Sequence, residues 1–123
     1  MLKRSEIVPG AILRENFNGM SEFYEVLSVS EKSVQLQQLE WTTRDVEVPE
    51  GEVARPFQNY RYVKIKKDEN DNWVTQGKPF TKRIQVIGQD DGEDVVKVTS
   101  KVYKGFKMHR EWNPERAFEF YWG

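Results

Sequence analysis

The chain contains 123 residues, of which 37% are hydrophobic, 32% are charged and 13% are aromatic, and its formal net charge is -1. This length predicts one domain with one core, and a core that relies on rings more than on aliphatic side chains favours a small β-barrel. The absence of cysteine excludes disulfides, thiolate catalysis and cysteine-based zinc sites.

The first predicted element is a strand that begins at Ala11, directly after a turn at Pro9-Gly10. Proline presets the first central residue of such a turn, and glycine accepts the positive φ that follows. Asn18-Gly19 then separates the segments AILRENF and SEFYEVLSV, which are both rich in strand-forming residues. Asn-Gly in this position favours a tight β-hairpin. A polar turn at 30–33 ends the second strand.

A third strand is predicted where Val34 and Leu36 alternate with glutamines. The alternation shifts by one residue at Gln37-Gln38, because the next apolar residues in phase are Leu39 and Trp41. A β-bulge or a sharp bend at Gln37-Gln38 would return these side chains to the interior.

The middle of the chain has a weaker pattern. Alternating valines indicate a short strand at 46–48, which is followed by a surface loop. The segment RYVKIKK at 61–67 predicts another strand, and the acids and amides at 68–72 predict the turn that ends it. We expect 73–75 to pair back as the second arm of a hairpin, which Gly77-Lys78-Pro79 then closes.

The last third of the chain predicts one more hairpin, formed by 81–87 and 94–102 with Asp-Gly at its tip. Alternating aromatic residues at 118–122 indicate a closing strand. One helical turn is predicted at 113–115, where asparagine can cap the turn and proline can occupy its first position.

These elements together predict an all-β fold. No segment has a sustained 3.6-residue period, and no repeat or low-complexity linker divides the chain. We expect a small curled antiparallel sheet or an SH3-like barrel with at most one short helical turn. Residues 1–123 are expected to form a single barrel-like domain, in which 42–79 is an insertion of a loop and a hairpin.

Two parts of the chain resemble a known family. Phe23-Tyr24-Glu25-Val26, followed by Glu31-Lys32-Ser33-Val34, resembles the FYxV…KSV stretch of small uncharacterised proteins found on phages, plasmids and conjugative elements of bacteria. Near the end, Val96-Lys97-Val98-Thr99-Ser100 and the terminal Tyr121-Trp122-Gly123 are similar to that family's YIKIS-like strand and its W…WY-G ending. The resemblance covers 7–41 and 80–123, and it implies an accessory gene of a mobile element.

The sequence contains no signal for a membrane or a secretory route. The N-terminus, MLKRSEIVPG, lacks an apolar run of signal-peptide length, and no later stretch approaches the roughly 18 apolar residues of a membrane span. We therefore expect a cytoplasmic protein that does not associate with membranes.

Acidic clusters at 68–71 and 90–94 are the candidates for a metal site, but neither has the ligand spacing of a calcium-binding EF-hand loop. We interpret both as solvated hairpin tips and expect no metal and no cofactor. His109 is the single histidine of the chain, and we expect it to face solvent without a catalytic role. No phosphate-binding glycine loop, nucleophile elbow or HExxH motif is present, so we expect no enzymatic activity.

The candidate binding site is a basic strip in KVYKGFKMHREW, at 101–112. Side chains alternate along a strand, so one face of it carries Lys101, Tyr103, Lys107 and His109. The other face carries Val102, Phe106, Met108 and Trp112 as core residues. Lys64, Lys66, Lys67, Tyr60 and Tyr62 could extend the strip, and of these Lys64, Lys66 and Tyr62 complete the predicted site.

Two functions fit this strip, and a purely structural role also fits. A basic row with a ring can hold single-stranded or duplex nucleic acid, because cations neutralise phosphates and rings stack on bases. The near-zero net charge argues against a dedicated nucleic-acid binder. Lysines also protect a sheet edge from aggregation without binding any ligand. The leading prediction is a protein-binding module, monomeric or weakly dimeric, whose partner is encoded by the host or by the mobile element.

Overall fold

The computed structural model describes residues 2–17, 20–46, 58–99, 108–110 and 118–122, and it describes side chains within 2–15, 22–43 and 62–98. Within these residues the chain forms one 3-10 turn, at Arg4–Glu6, and nine strands. The strands are β1 Ile12–Phe17, β2 Met20–Val29, β3 Ser33–Leu39, β4 Trp41–Val46, β5 Gln58–Ile65, β6 Phe80–Asp90, β7 Glu93–Thr99, β8 Met108–Arg110 and β9 Phe118–Trp122.

The strands form two antiparallel sheets. The first is curled and has the order β7-β6-β3-β2-β1-β8, and the second has the order β4-β5-β9. The predicted all-β, curled antiparallel fold is confirmed. The helical turn predicted at 113–115 lies outside the described residues, whereas the 3-10 turn at Arg4–Glu6 was not predicted.

Several turns have the chemistry that the sequence predicts. Gly10 has a φ of 88°, and the N–H of Ala11 donates to the C=O of Val8 across the turn at 3.0 Å. Asp91 and Gly92 connect β6 to β7 with φ values of 51° and 80°. Positive φ at both central residues matches the right-handed twist of a two-residue hairpin. β1 and β2 also pair as predicted, but the tip of their hairpin at 18–19 is not described.

The first core fills the inside of the curled sheet. Its buried members come from five strands and from the N-terminal segment, and they include Leu2, Ile7, Leu13, Tyr24, Val26, Leu36, Ile84, Val96 and Val98. The N-terminal segment reaches across to β7, where the N–H of Val96 donates to the C=O of Leu2 at 2.9 Å. This segment therefore covers part of the interior that the sheet leaves open.

The second core lies between the two sheets. Ile12, Phe23 and Leu39 of the curled sheet pack against Val63 and Ile65 of β5, with Trp41 and Trp73 at the edge. Strands β1, β2 and β3 therefore bury side chains on both of their faces. A chain with 37% hydrophobic residues can support two cores because these three strands contribute to both.

The predicted bulge at Gln37-Gln38 is wrong. β3 pairs with β2 without interruption from Leu36 to Leu39, and the bulge lies instead in β2, at Leu27. The pattern along β3 shifts because Leu36 belongs to the first core and Leu39 to the second. Gln37 is only 7% exposed, and its amide donates to the carbonyls of Gln38, Gln76 and Gly77 at 3.1, 3.2 and 3.1 Å.

The two sheets meet at a ring of three backbone hydrogen bonds. The N–H of Glu40 donates to the C=O of Val74 at 2.9 Å, and the N–H of Lys66 donates to the C=O of Glu40 at 2.9 Å. The N–H of Val74 closes the ring by donating to the C=O of Lys66 at 3.0 Å. The segment at 73–75 pairs back as predicted, first with Lys67 and then with Leu39 of β3. We call this ring the sheet junction.

We predict that Gln37→Leu lowers the free energy of unfolding by about 1–2 kcal/mol, because the carbonyls of Gln76 and Gly77 lose the hydrogen bonds that the Gln37 amide donates. Urea denaturation of the wild type and the variant measures this difference. Gln35 is exposed on the same strand, so Gln35→Leu is the matched control and is expected to change stability by less than about 0.5 kcal/mol. Equal losses in the two variants would contradict the role of the Gln37 amide.

Candidate functional site

The structure brings together three of the seven residues predicted to form a binding site. Tyr62, Lys64 and Lys66 lie along one face at β5, since Val63 and Ile65 between them are fully buried in the second core. Lys64 and Lys66 are exposed, and Tyr62 is partly buried.

The side chains of the other four predicted residues lie outside the described part of the chain. Lys101, Tyr103 and Lys107 lie outside the described residues. His109 lies in β8, where its backbone pairs opposite Arg14 of β1, and its side chain is not described. β8 belongs to the curled sheet and β5 to the second sheet, so His109 and Lys64 lie on different sheets. The alternation predicted for 101–112 also lies outside the described side chains.

A groove of about 650 Å³ opens beside Lys64 and Lys66, above the sheet junction. Its lining includes three lysines and two acids, together with Thr42 and Val74. The volume falls within the range of small-ligand clefts. We call it the lysine groove. The three residues of the sheet junction all line it, so the position of its walls depends on the backbone ring beneath.

Two of the three lysines in the lysine groove are paired with acids of the same lining. Lys66 Nζ lies 3.7 Å from Glu40 Oε2, and Lys67 Nζ lies 3.3 Å from Asp71 Oδ1. The ammonium group of Lys67 also lies 4.6 Å from the centre of the Trp73 ring, a cation–π contact. The surface of the groove is therefore of mixed sign.

Lys64 differs from its neighbours. It is exposed, and within the described part of the chain it has no ion pair. Its backbone pairs opposite Thr42 of β4, which is also exposed and lines the groove. Three lysines and two carboxylates leave the lining with a formal charge of +1, and Lys64 carries the cation that no acid of the groove offsets.

Sequence reasoning found the lysines of this site and missed the acids. The sequence does not pair Glu40 with Lys66, because the two residues come together only when β4 pairs with β5, in a register that continues from Trp41 opposite Ile65. Asp71 was assigned to a solvated hairpin tip. It is exposed there, but it is also four residues after Lys67, and this i,i+4 spacing across a turn was the available signal.

A second group of polar residues lies at one end of the first core. Glu15 and Glu22 are directly opposite each other on β1 and β2, an arrangement in which like charges destabilise a sheet. Glu22 Oε2 accepts hydrogen bonds from the hydroxyl of Tyr24 at 2.9 Å and the amide of Gln38 at 2.8 Å. Lys82 is 6% exposed, and its ammonium group lies 5.9 and 5.5 Å from the ring centres of Tyr24 and Phe80. We call these residues the inner polar cluster.

Burial shifts the titration of three members of the inner polar cluster. Burial is the largest cause that raises the pKa of Glu15. The charge of Lys82 lowers the same pKa, and the charge of Glu22 raises it. Burial lowers the pKa of Lys82, and the charges of Glu15 and Glu22 act in the opposite direction and raise it. Burial and the hydrogen bond to Glu22 raise the pKa of the Tyr24 hydroxyl. Glu15 Oε2 is buried without a hydrogen-bond partner, so the Lys82 charge is the favourable interaction that the Glu15 carboxylate has.

The predicted hairpin tips are formed as expected. Residues 68–72 are exposed, and Asp68 Oδ1 accepts from the backbone N–H groups of Asn70 and Asn72 at 2.8 and 3.0 Å. At the other tip, Glu93 Oε2 lies 3.2 Å from Lys3 Nζ.

Among the described residues, no three His, Asp or Glu side chains come close enough to hold a metal ion. The described part of the chain also has no helix that is long and apolar enough to cross a membrane.

Comparison of the chain with family models, curated proteins and solved structures gives no match. Function is therefore argued from the described residues. The resemblance to proteins of mobile elements stays a prediction from the sequence.

We predict that Lys82→Met makes stability more sensitive to pH. Without the lysine charge the pKa of Glu15 rises further above its unfolded value of about 4.3. A raised carboxyl pKa contributes stability below the unfolded pKa, and this contribution is lost as the pH rises through the folded pKa. Urea denaturation from about pH 4 to pH 8 should show the variant losing stability relative to the wild type, by less than the roughly 1.4 kcal/mol per pKa unit of a fully buried group, because Glu15 is partly solvated.

The double variant Glu15→Gln/Lys82→Met is the matched control for this prediction. It removes the titrating group, so its difference from Glu15→Gln, which lacks the same group, should not grow with pH. Parallel pH profiles of the wild type and Lys82→Met would show that Lys82 does not act on the charge of Glu15.

Proposed function

We propose that the protein is a non-enzymatic binding module that engages another protein through the lysine groove. The observation that carries this proposal is the mixed charge of the groove, in which Glu40 and Asp71 stand beside Lys66 and Lys67. A protein surface presents both signs of charge and can match such a lining. The sequence resemblance to proteins of mobile elements suggests a partner encoded by the host or by the element, in the cytoplasm.

Nucleic-acid binding is the alternative, and the row of Tyr62, Lys64 and Lys66 on β5 is the feature that favours it. A phosphate backbone approaching this row would meet the carboxylates of Glu40 and Asp71 as well as the lysines. It would have to compete with both existing ion pairs, and repulsion by the two acids would reduce the gain from counterion release. The mixed lining therefore supports a polypeptide over a polyanion.

Site-specific photo-crosslinking tests the protein-binding proposal. A photoreactive phenylalanine analogue replaces Thr42 in the groove or, as the matched control, the exposed Gln85 on β6. In lysate of the native host, we expect a discrete protein adduct from position 42 that is absent from position 85. Lys64→Glu should weaken this adduct, and Lys32→Glu, which reverses an exposed charge at the β2–β3 turn, should leave it unchanged. Equal adducts from both positions would contradict the proposal.

Fluorescence anisotropy with labelled single-stranded and duplex oligonucleotides tests the alternative. At physiological salt we expect no binding stronger than about 10⁻⁴ M, the weak limit of non-specific association. Tighter binding that falls steeply with added salt, and that Lys64→Glu reduces, would favour nucleic acid over a protein partner. The same Lys32→Glu variant separates an effect of the groove from an effect of total charge.

A further inference from the structure

We propose that the lysine groove recognises an extended polypeptide segment carrying one aspartate or glutamate, whose carboxylate pairs with Lys64. This inference rests on the proposed protein-binding function and names the chemistry of the partner. It follows from the hydrogen bonds beneath the groove, from the distribution of charge in its lining, and from the residues beside Lys64.

The backbone N–H groups of the sheet junction are not available to bind a ligand segment. Each of its three N–H groups donates to a C=O of another junction residue, at distances of 2.9 to 3.0 Å. Addition of a ligand strand requires free backbone donors and acceptors at a sheet edge. The three donors of the sheet junction are already used, so a segment bound above the junction is read there by the side chains that line the walls.

The charges of the lining select a single carboxylate. Lys66 and Lys67 are already matched by Glu40 and Asp71, which leaves one positive charge at Lys64. One carboxylate brings the lining and its ligand to neutrality. A segment with several acids, or with a doubly charged phosphate, would add negative charge beside two existing carboxylates and would be disfavoured.

The residues beside Lys64 define the rest of the segment. The hydroxyl of Thr42, opposite Lys64 in the register, is exposed and can donate a hydrogen bond to the same carboxylate. Tyr62 lies two residues along the same face of β5, and Val74 forms part of the groove wall. An extended segment whose acid is near an apolar residue can contact the lysine and these neighbours together, because side chains two apart in a strand share a face.

Selection from a phage-displayed library of random 12-residue peptides tests this inference. We expect peptides enriched on the wild-type protein to share one Asp or Glu with a nearby apolar residue. Enrichment of that acid should disappear with Lys64→Met and persist with Lys32→Met, which removes an exposed lysine distant in sequence from the groove. Charge complementarity at an exposed pair predicts a two- to fivefold loss of affinity, or about 0.4–1 kcal/mol, when the acid of a selected synthetic peptide becomes its amide.

A charge exchange shows whether the contact is direct. Lys64→Glu should weaken binding of the acidic peptide, and replacing the peptide's acid with lysine should restore binding to this variant. Recovery would identify the peptide acid as the partner of residue 64. Failure of the exchange, or an acid preference that survives Lys64→Met, would overturn this inference.

The outcomes separate this inference from the proposed function. Enrichment of peptides without a shared acid, with binding lost on Lys64→Met, would keep protein binding at the groove and overturn the acidic partner. No enrichment of any peptide, together with no specific crosslink from position 42, would overturn both.

Discussion

Three peptide groups hydrogen-bond one another in a ring where the two sheets meet, and the position of the lysine groove depends on them. Lys66 and Val74 lie on the two arms of one short hairpin and Glu40 is distant from both in the sequence, and each of the three donates its N–H to another member of the ring. A buried peptide group without a partner is costly, so the ring satisfies donors that the change of sheet would otherwise leave free. It also places Glu40 beside Lys66 and fixes one of the two ion pairs of the groove.

The ring can form because β3 serves two cores. Leu36 packs inside the curled sheet, and Leu39 packs three residues later between the sheets. Such a strand has no solvated face for part of its length, and the polar Gln37 is accommodated by hydrogen bonds to carbonyls. The inner polar cluster, which the neighbouring Gln38 joins through its hydrogen bond to Glu22, shows the same constraint. There, the charge of Lys82 offsets that of Glu15, which burial would otherwise make costly.

The lysine groove combines a fixed backbone with adjustable charges. Its ion pairs are partly exposed, so each contributes little to stability and can exchange partners without loss of the fold. In the proposed function the pairs contribute selectivity, because the acids that neutralise Lys66 and Lys67 would repel a ligand with many negative charges. The proposal of a polypeptide partner rests on these acids, and the lysines alone would not lead to it.

Local sequence determined the elements of this fold. Pro9-Gly10, the Asp-Gly tip of the β6–β7 hairpin and the segment RYVKIKK at 61–67 each predicted a turn or a strand that the structure has, because turns and strands depend on neighbours a few residues apart. Tertiary structure alone decided the second core, the bulge at Leu27 and the pairing of Lys66 with Glu40. These depend on segments that meet only when the chain folds, and a period of two cannot show which of two cores a buried side chain will enter.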